Sequence, residues 1–195
     1  MTDEIKKQII IYLIEDDTSQ RESIESLLAF KGYLVKSFRN ANDFLKLNNI
    51  HRPSVLITDI HLPGQSGVDL HSELLKHSID FPVIFISGES TIQQSINAMK
   101  QGAFEFLVKP FDINDLVTAI EKACNFELKR LSLNELIKRL SPREKEVYNY
   151  LIQGFNNNEL TEKMNISIPT VKQYKSEVMR KLGINSLSQL IDLSH

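Results

Sequence analysis

Five polar residues spaced along the first part of the chain carry the side chains that a phosphate-handling site needs. Asp16, Asp17 and Asp59 supply carboxylates, Ser87 supplies a hydroxyl, and Lys109 supplies an ammonium. Three carboxylates that come together repel one another unless a cation joins them. Mg²⁺ prefers oxygen ligands and keeps waters whose places phosphate oxygens can take. Together these groups are the components of phosphoryl transfer to a carboxylate.

Short apolar runs must position these residues, and each of the five polar residues lies at the end of one. The runs cover residues 8–14, 33–37, 55–58, 82–86 and 104–108. Several are apolar almost throughout, which is typical of parallel strands covered on both faces. Stretches with helical spacing alternate with them, so the pattern predicts a doubly wound parallel sheet. Because chemistry in such sheets collects at the carboxyl ends of the strands, the polar residues are expected to converge there.

After about residue 122 the pattern becomes helical throughout. Residues 126–140 predict a charged, amphipathic connector, and the segment Ser-Pro-Arg-Glu at 141–144 has the residue types of a helix start. Helices are then predicted over about 158–164 and 169–182, separated by a tight turn. The second is amphipathic and basic, which predicts a helix-turn-helix.

Composition and charge limit the class of protein. The chain has 195 residues, and no apolar run approaches the ~20 residues that cross a bilayer. Its N-terminus lacks the apolar core of a signal peptide, and its single cysteine excludes an internal disulfide, so we expect a cytoplasmic protein without membrane contact. The net charge is −5 over residues 1–124 and +3 over residues 137–195, which suggests two parts with different tasks.

The sequences IEDD, TDIHLPGQSGVDL, ISGES and FEFLVKPF, in this order, resemble the motif set of the two-component receiver domain over residues 8–122. The resemblance implies a five-stranded, flavodoxin-like sheet in which Asp59 is the phospho-acceptor. Asp16 and Asp17 would belong to its acidic pocket. Mg²⁺ would be held by Asp17, Asp59 and the backbone carbonyl of His61.

The same resemblance assigns the residues that respond to phosphorylation. Ser87 and Lys109 would contact the phosphoryl group, and the Lys109–Pro110 bond would be cis. Ser87 and Phe106 would form the switch, with Phe106 acting by packing because it lacks the hydroxyl of the more usual Tyr. The surface over residues 90–121 would form the dimer face, and His61 and Glu89 would tune the phosphoryl lifetime.

The sequences LSPRE and PTVKQYKSEVMRKLG resemble the LuxR-type output domain of NarL/FixJ regulators. Carried over, Lys172 and Gln173, and less securely Ser176, fall on major-groove positions. Lys175 and Lys181 are expected to contact the DNA backbone or to be solvated. The final helix, over residues 184–193, would form a dimer contact. The complete set of predicted DNA-contacting residues is Thr170, Lys172, Gln173, Lys175, Ser176 and Arg180.

The sequence therefore predicts a response regulator with a receiver domain over residues 1–123, a helical linker over 124–138 and a DNA-binding domain over 139–195. A histidine kinase would phosphorylate Asp59, and the homodimer would then bind double-stranded DNA. No enzymatic activity is expected beyond self-phosphorylation and autodephosphorylation. Two alternatives remain open: a Mg²⁺-dependent phosphohydrolase that uses the same acids, and a phosphorylation-independent regulator with a vestigial pocket.

Overall fold

The five apolar runs form one parallel sheet in the computed structural model, which describes residues 2–88 and 99–194. The strands are β1 (Ile10–Ile14), β2 (Leu34–Phe38), β3 (Ser54–Asp59), β4 (Val83–Ser87) and β5 (Glu105–Val108). Their order in the sheet is β2-β1-β3-β4-β5, and every neighbouring pair is parallel. The predicted doubly wound sheet is confirmed.

Burial of the strands follows their place in the sheet. Every residue of β3 and β4 is buried, because these strands have neighbours on both sides and helices over both faces. The edge strands β2 and β5 are only partly buried. The largest fully buried side chains of this core include Tyr12, Phe44 and Phe85.

Four helices among the described residues of this part surround the sheet or precede it. They are α1 (Asp3–Lys6), α2 (Thr18–Phe30), α3 (Ala41–Leu45) and α4 (Gly67–Lys76). Three of them begin at a side-chain cap, namely Asp17 for α2, Asn40 for α3 and Ser66 for α4. Each cap accepts a hydrogen bond from a backbone N–H of the first turn, which fixes where the helix starts. The predicted helical stretch around Ile92 and Ile96 lies outside the described residues, as does Glu89.

The rest of the chain is helical, as predicted. The helices are α5 (Ile113–Lys138), α6 (Pro142–Ile152), α7 (Asn157–Met164), α8 (Ile168–Leu182) and α9 (Leu187–Ser194). Ser141 and Glu144 form a capping box at the start of α6. Asn165 ends α7 in the left-handed conformation, so the turn between α7 and α8 is short. Gly183 ends α8 in the same conformation.

The chain divides into two compact units between residues 127 and 128, within α5. In the first unit, Leu116, Ile120 and Cys124 of α5 are buried. In the second unit, Leu133 of α5 is buried in a hydrophobic core with Val147, Leu151, Leu160, Val171, Val178, Leu182 and Leu190. Helix α5 therefore contributes side chains to both cores. Across the described ranges, no helix is both long enough and apolar enough to span a membrane.

Candidate functional site

The carboxyl edge of the sheet brings together the polar residues that the sequence singles out. Glu15, Asp16 and Asp17 follow β1, Asp59 ends β3, and Lys109 follows β5. All three groups line one cavity of about 260 Å³. The parallel register explains this convergence, since all these strands end at the same edge.

Lys109 joins two carboxylates at the centre of this cavity. Its Nζ lies 2.6 Å from Asp59 Oδ2 and 2.7 Å from Glu15 Oε2. Burial alone works to lower the pKa of Lys109, but the hydrogen bonds and charges of Asp59 and Glu15 outweigh it and raise that pKa. The lysine is therefore a fixed positive charge at neutral pH, and it supplies a cation to the carboxylates of Asp59 and Glu15.

Glu15 is a site residue that the sequence reasoning missed. Its side chain is 1% exposed, and burial raises its pKa, which the contact with Lys109 partly offsets. A glutamate directly after the five apolar residues of β1, in a strand buried on both faces, was the available signal. A buried carboxylate without a cation would be very costly, so Glu15 fixes the position of Lys109 as much as Asp59 does.

Asp17 makes a contact that the sequence reasoning did not assign to it. Its Oδ1 accepts a hydrogen bond of 2.8 Å from the backbone N–H of Gln20 and so caps α2. Asp16 precedes it, and within the described residues no side chain donates to the Asp16 carboxylate. Arg21 Nη1 donates a hydrogen bond of 2.7 Å to the Glu15 carbonyl, which stabilises the turn between β1 and α2. The metal-ligand set of Asp16, Asp17, Asp59 and the His61 carbonyl remains a prediction, and Asp16 and Asp17 both line the cavity.

The backbone around Asp59 is held closely. Asp59 is 6% exposed, and its Oδ1 accepts a hydrogen bond of 2.8 Å from the backbone N–H of His61, whose side chain is exposed. A Cβ on Gly67 would lie 2.3 Å from the Asp59 carbonyl oxygen, so this first residue of α4 has to be glycine. The Asp59 carboxylate itself is held by two contacts, the His61 N–H at Oδ1 and Lys109 Nζ at Oδ2.

Ser87 and Phe106 lie beside this centre. The Ser87 side chain is fully buried, and in the part of the chain that the structure describes its Oγ has no hydrogen-bond partner. Phe106, on the neighbouring strand, is half-buried and packs against the main core of the sheet. The predicted cis bond between Lys109 and Pro110 is confirmed, and Arg52–Pro53 is also cis.

The second candidate site is the exposed face of α8. Lys172, Gln173 and Ser176 are exposed, while Val171 and Val178 anchor the opposite face in the core. This alternation is what the amphipathic pattern predicted. Polar side chains on one face of a helix, held by a buried stripe on the other, can reach the edges of bases in the major groove.

Three of the predicted DNA-contacting side chains have a more limited role in the structure. Thr170 Oγ1 lies 2.8 Å from the hydroxyl of Ser167 in the cap of α8. Arg180 Nη2 lies 2.8 Å from Glu177 Oε2. Lys175 is half-buried. Of the six predicted residues, Lys172, Gln173 and Ser176 are therefore the ones that are exposed and have no side-chain partner within α8 among the described residues.

Lys181 is exposed, as one of its two predicted roles requires, and it also makes a contact that the sequence did not predict. Its Nζ lies 2.7 Å from both carboxylate oxygens of Glu144. The same Glu144 accepts a hydrogen bond from the Ser141 N–H at the start of α6. These hydrogen bonds lower the pKa of Glu144, and the one from Lys181 has the largest effect. Lys181 thus fastens the end of α8 to the start of α6.

In comparisons with known proteins, two family models match separate parts of the chain. Residues 11–121 match the model of the response regulator receiver domain, and residues 138–194 match that of the LuxR family of bacterial regulatory proteins. Nodulation protein W of Bradyrhizobium diazoefficiens is 35% identical and aligns with 98% of this chain and 87% of its own. The transcriptional regulatory protein FixJ of the same species is 32% identical, over 94% and 93%.

Solved structures agree as well. The structure of the response regulator StyR has a TM-score of 0.60 and 32% identity, and covers 96% of this chain and 98% of its own. Full-length FixJ from B. japonicum has a TM-score of 0.55 and 31% identity, and covers 96% of both chains. The chain belongs to the two-component response regulators of the NarL/FixJ family, with a receiver domain and a LuxR-type helix-turn-helix domain.

Proposed function

We propose that Asp59 accepts a phosphoryl group from a partner histidine kinase and that this modification controls dimerisation and DNA binding. The observation that carries the proposal is the Lys109 bridge, 2.6 Å from Asp59 and 2.7 Å from Glu15, beside the buried hydroxyl of Ser87. A nucleophile, a cation and a hydrogen-bond donor are thus available where a phosphoryl group would be attached.

Mg²⁺ fits the donors around Asp59. Outside residues 89–98, the structure has no group of three or more His, Cys, Asp and Glu side chains arranged to hold a metal ion. Two carboxylates, of Asp16 and Asp59, and the backbone carbonyl of His61 are nevertheless a sufficient protein contribution for an ion that keeps several waters. Bound there, Mg²⁺ would offset the charge of an incoming phosphoryl group. Asp17 lines the same cavity and remains a predicted ligand.

In the transfer, an Asp59 oxygen forms a bond to phosphorus while the bond from phosphorus to the kinase's histidine nitrogen breaks. Lys109 stabilises the negative charge on the oxygens, and it keeps its proton because its pKa is raised. Ser87 Oγ donates a hydrogen bond to a phosphoryl oxygen. The same groups allow self-phosphorylation from a small phosphodonor and later hydrolysis, which is the only catalysis that we assign to the chain.

A cleft next to the site suits the approach of the kinase. This cavity of about 740 Å³ is lined by Ser19, Gln20 and Ile24 of α2 and by Lys109 and Phe111 after β5. Its lining combines apolar side chains with hydroxyl and amide groups, as protein interfaces do. Lys109 lines both this cleft and the cavity that holds Asp59, so a phosphohistidine in the cleft would lie close to the site.

Repacking of side chains would transmit the effect of phosphorylation from Asp59 to the surface of the receiver. Ser87 would move toward the phosphoryl group, and Phe106 would repack in the space that becomes available. Exposed apolar side chains nearby, Met99 and Val108, support a dimer face within residues 90–121. A dimer would present two copies of α8 to half-sites about one helical turn (~34 Å) apart. With DNA as the final partner, we propose a cytoplasmic location.

We propose residues 1–123 as the receiver, 124–138 as the linker and 139–195 as the DNA-binding domain. In the last of these, Lys172, Gln173 and Ser176 would read bases, with Thr170, Lys175 and Arg180 at the margin of the contact. Exposed side chains on one face of α8 support this assignment.

Replacement of the acceptor tests the central claim. The Asp59→Asn variant is expected to lose all labelling by a radioactive small phosphodonor with Mg²⁺, because an amide is not a nucleophile for phosphorus. Asp115→Asn, which changes an exposed acid on α5, is the control and should label like the unmodified chain. Stoichiometric labelling of Asp59→Asn would reject the site. Equal DNA binding with and without phosphodonor would instead support the phosphorylation-independent alternative.

A further inference from the structure

Ile168, the first residue of α8, leaves an apolar side chain exposed on the helix that we assign to DNA reading. It is 43% exposed. The other large hydrophobic side chains of comparable exposure, among residues 2–88 and 99–190, all lie at or before Val108. A single exposed isoleucine is common on protein surfaces, so its exposure alone indicates no ligand. Its place on the helix that we assign to DNA reading is what makes its apolar surface available to an apolar group of the DNA.

The position of Ile168 on the helix places it with the predicted base contacts. Residues four apart lie on the same side of an α-helix. Ile168, Lys172 and Ser176 follow one another at this interval, and all three are exposed. If Lys172 and Ser176 face the groove, Ile168 extends the same row toward the N-terminal end of the helix, which is the end that helix-turn-helix proteins direct at base edges.

The neighbours of Ile168 offer little polar contact at this end. Pro169 has no backbone donor, and the hydroxyls of Ser167 and Thr170 lie 2.8 Å apart within the cap of α8. The apolar surface of Ile168 is therefore the main feature that this turn presents. In the major groove of DNA the matching apolar feature is the C5-methyl group of thymine, which cytosine, adenine and guanine lack.

We infer that Ile168 is a specificity-determining residue that contacts a thymine methyl group in each half-site. The inference rests on the proposed function, because it requires that α8 enters the major groove. It adds a base preference at the end of the row where Lys172 and Ser176 give hydrogen bonds and charge.

Substitution of thymine by uracil tests the inference, since it removes the methyl group and keeps the base pair. Bound DNA is first selected from a random pool with the full chain, phosphodonor and Mg²⁺. Each thymine of the selected site is then replaced in turn by deoxyuridine, and the dissociation constants are compared. One position per half-site should weaken binding about fourfold, the effect of one buried methyl group.

The variants identify the partner of that methyl group. Ile168→Ser should bind the thymine and uracil sites equally, and Ile168→Ala provides a second variant should the serine variant unfold. Ile168→Val, which keeps two methyl groups, should retain the discrimination. Lys172→Ala is the matched control and should weaken binding to both sites by the same factor.

Three outcomes separate the claims. Loss of discrimination only in Ile168→Ser and Ile168→Ala supports the inference. An unmodified chain that ignores every uracil substitution, or an Ile168→Ser variant that still discriminates, overturns it while leaving DNA binding intact. A pool from which no sequence is enriched rejects DNA binding by α8 itself, and with it the role of Ile168.

Discussion

The two candidate sites of this chain hold their charges in opposite ways. In the receiver, Lys109, Asp59 and Glu15 are buried or nearly so, and they satisfy one another at 2.6–2.7 Å. On α8, Lys172 and Gln173 are exposed. Within residues 2–88 and 99–194, Lys172 forms no ion pair and the Gln173 side chain forms no hydrogen bond. The receiver site is preorganised before its substrate arrives, whereas the face of α8 is completed by its partner.

This difference follows from what each site does. Phosphoryl transfer depends on fixed charges in a partly water-excluded cavity, where they act without reorganisation. DNA binding depends on many phosphate and base contacts that replace counterions and water, so its side chains must be accessible beforehand. The comparison predicts large effects from single changes in the receiver and graded effects on α8.

The largest expected effect comes from removing the central cation. Lys109→Gln leaves the Asp59 and Glu15 carboxylates without their shared ammonium and removes a donor to the phosphoryl oxygens. The rate of labelling by a small phosphodonor should fall by about 10²-fold or more. Lys46→Gln, which changes an exposed lysine paired with Asp43, should label at the original rate. A Lys109→Gln variant that labels normally would contradict a preorganised site.

A smaller effect is expected from the pair that fastens α8 to α6. Lys181→Met should destabilise the second unit by about 1–2 kcal/mol, since it leaves the Glu144 carboxylate without its strongest partner. Hydrogen exchange of amides in α6 and α8 measures this without interference from the receiver. Unchanged exchange would mean that the pair is as weak as a surface ion pair.

The same pair predicts an acid dependence. The pKa of Glu144 is lower in the folded chain than in the unfolded one, so its contribution is present above the unfolded value and is lost as pH falls through the folded value. Protection of α6 and α8 should therefore decline below about pH 4.5. Glu144→Gln should flatten this decline, and a slope equal to that of the original chain would assign it to other carboxylates.

The smallest effect sharpens the contrast on α8 itself. Glu177→Gln releases Arg180 from its ion pair and removes an acid from the DNA-facing helix, so affinity for DNA should rise about twofold to fivefold, with a steeper salt dependence. Glu135→Gln removes the acid of an equally spaced exposed pair, with Lys138 on α5, and should change little. Equal gains in both variants would show a general charge effect and not release of Arg180.

The sequence was sufficient for the architecture, because burial repeats with the period of the element. The apolar runs predicted all five strands to within two residues at their starts, and α7 begins one residue before the predicted position 158. Caps followed from residue types, as with Ser141 and Glu144 in the capping box of α6. These features depend on neighbours a few residues apart, which a single sequence displays.

The partners of charged side chains were harder to predict. Glu15 meets Lys109 across 94 residues, and Glu144 meets Lys181 across 37. Periodicity places such residues on a face but does not tell which of several nearby carboxylates a lysine will reach. Asp17 shows the converse, since an aspartate before a helix can serve as a cap or as a metal ligand, and only the geometry distinguishes the two.

The buried hydroxyl of Ser87 has a thermodynamic consequence. A buried donor whose hydrogen bond is not made costs about 1–3 kcal/mol, and the Ser87 Oγ has no partner in the part of the chain described. A phosphoryl oxygen on Asp59 that accepts this bond removes the cost only in the modified protein. That difference alone shifts a two-state equilibrium by about 5-fold to 150-fold. Among the described residues the protein itself offers Ser87 Oγ no partner, so the proposed modification would bias the chain by supplying one.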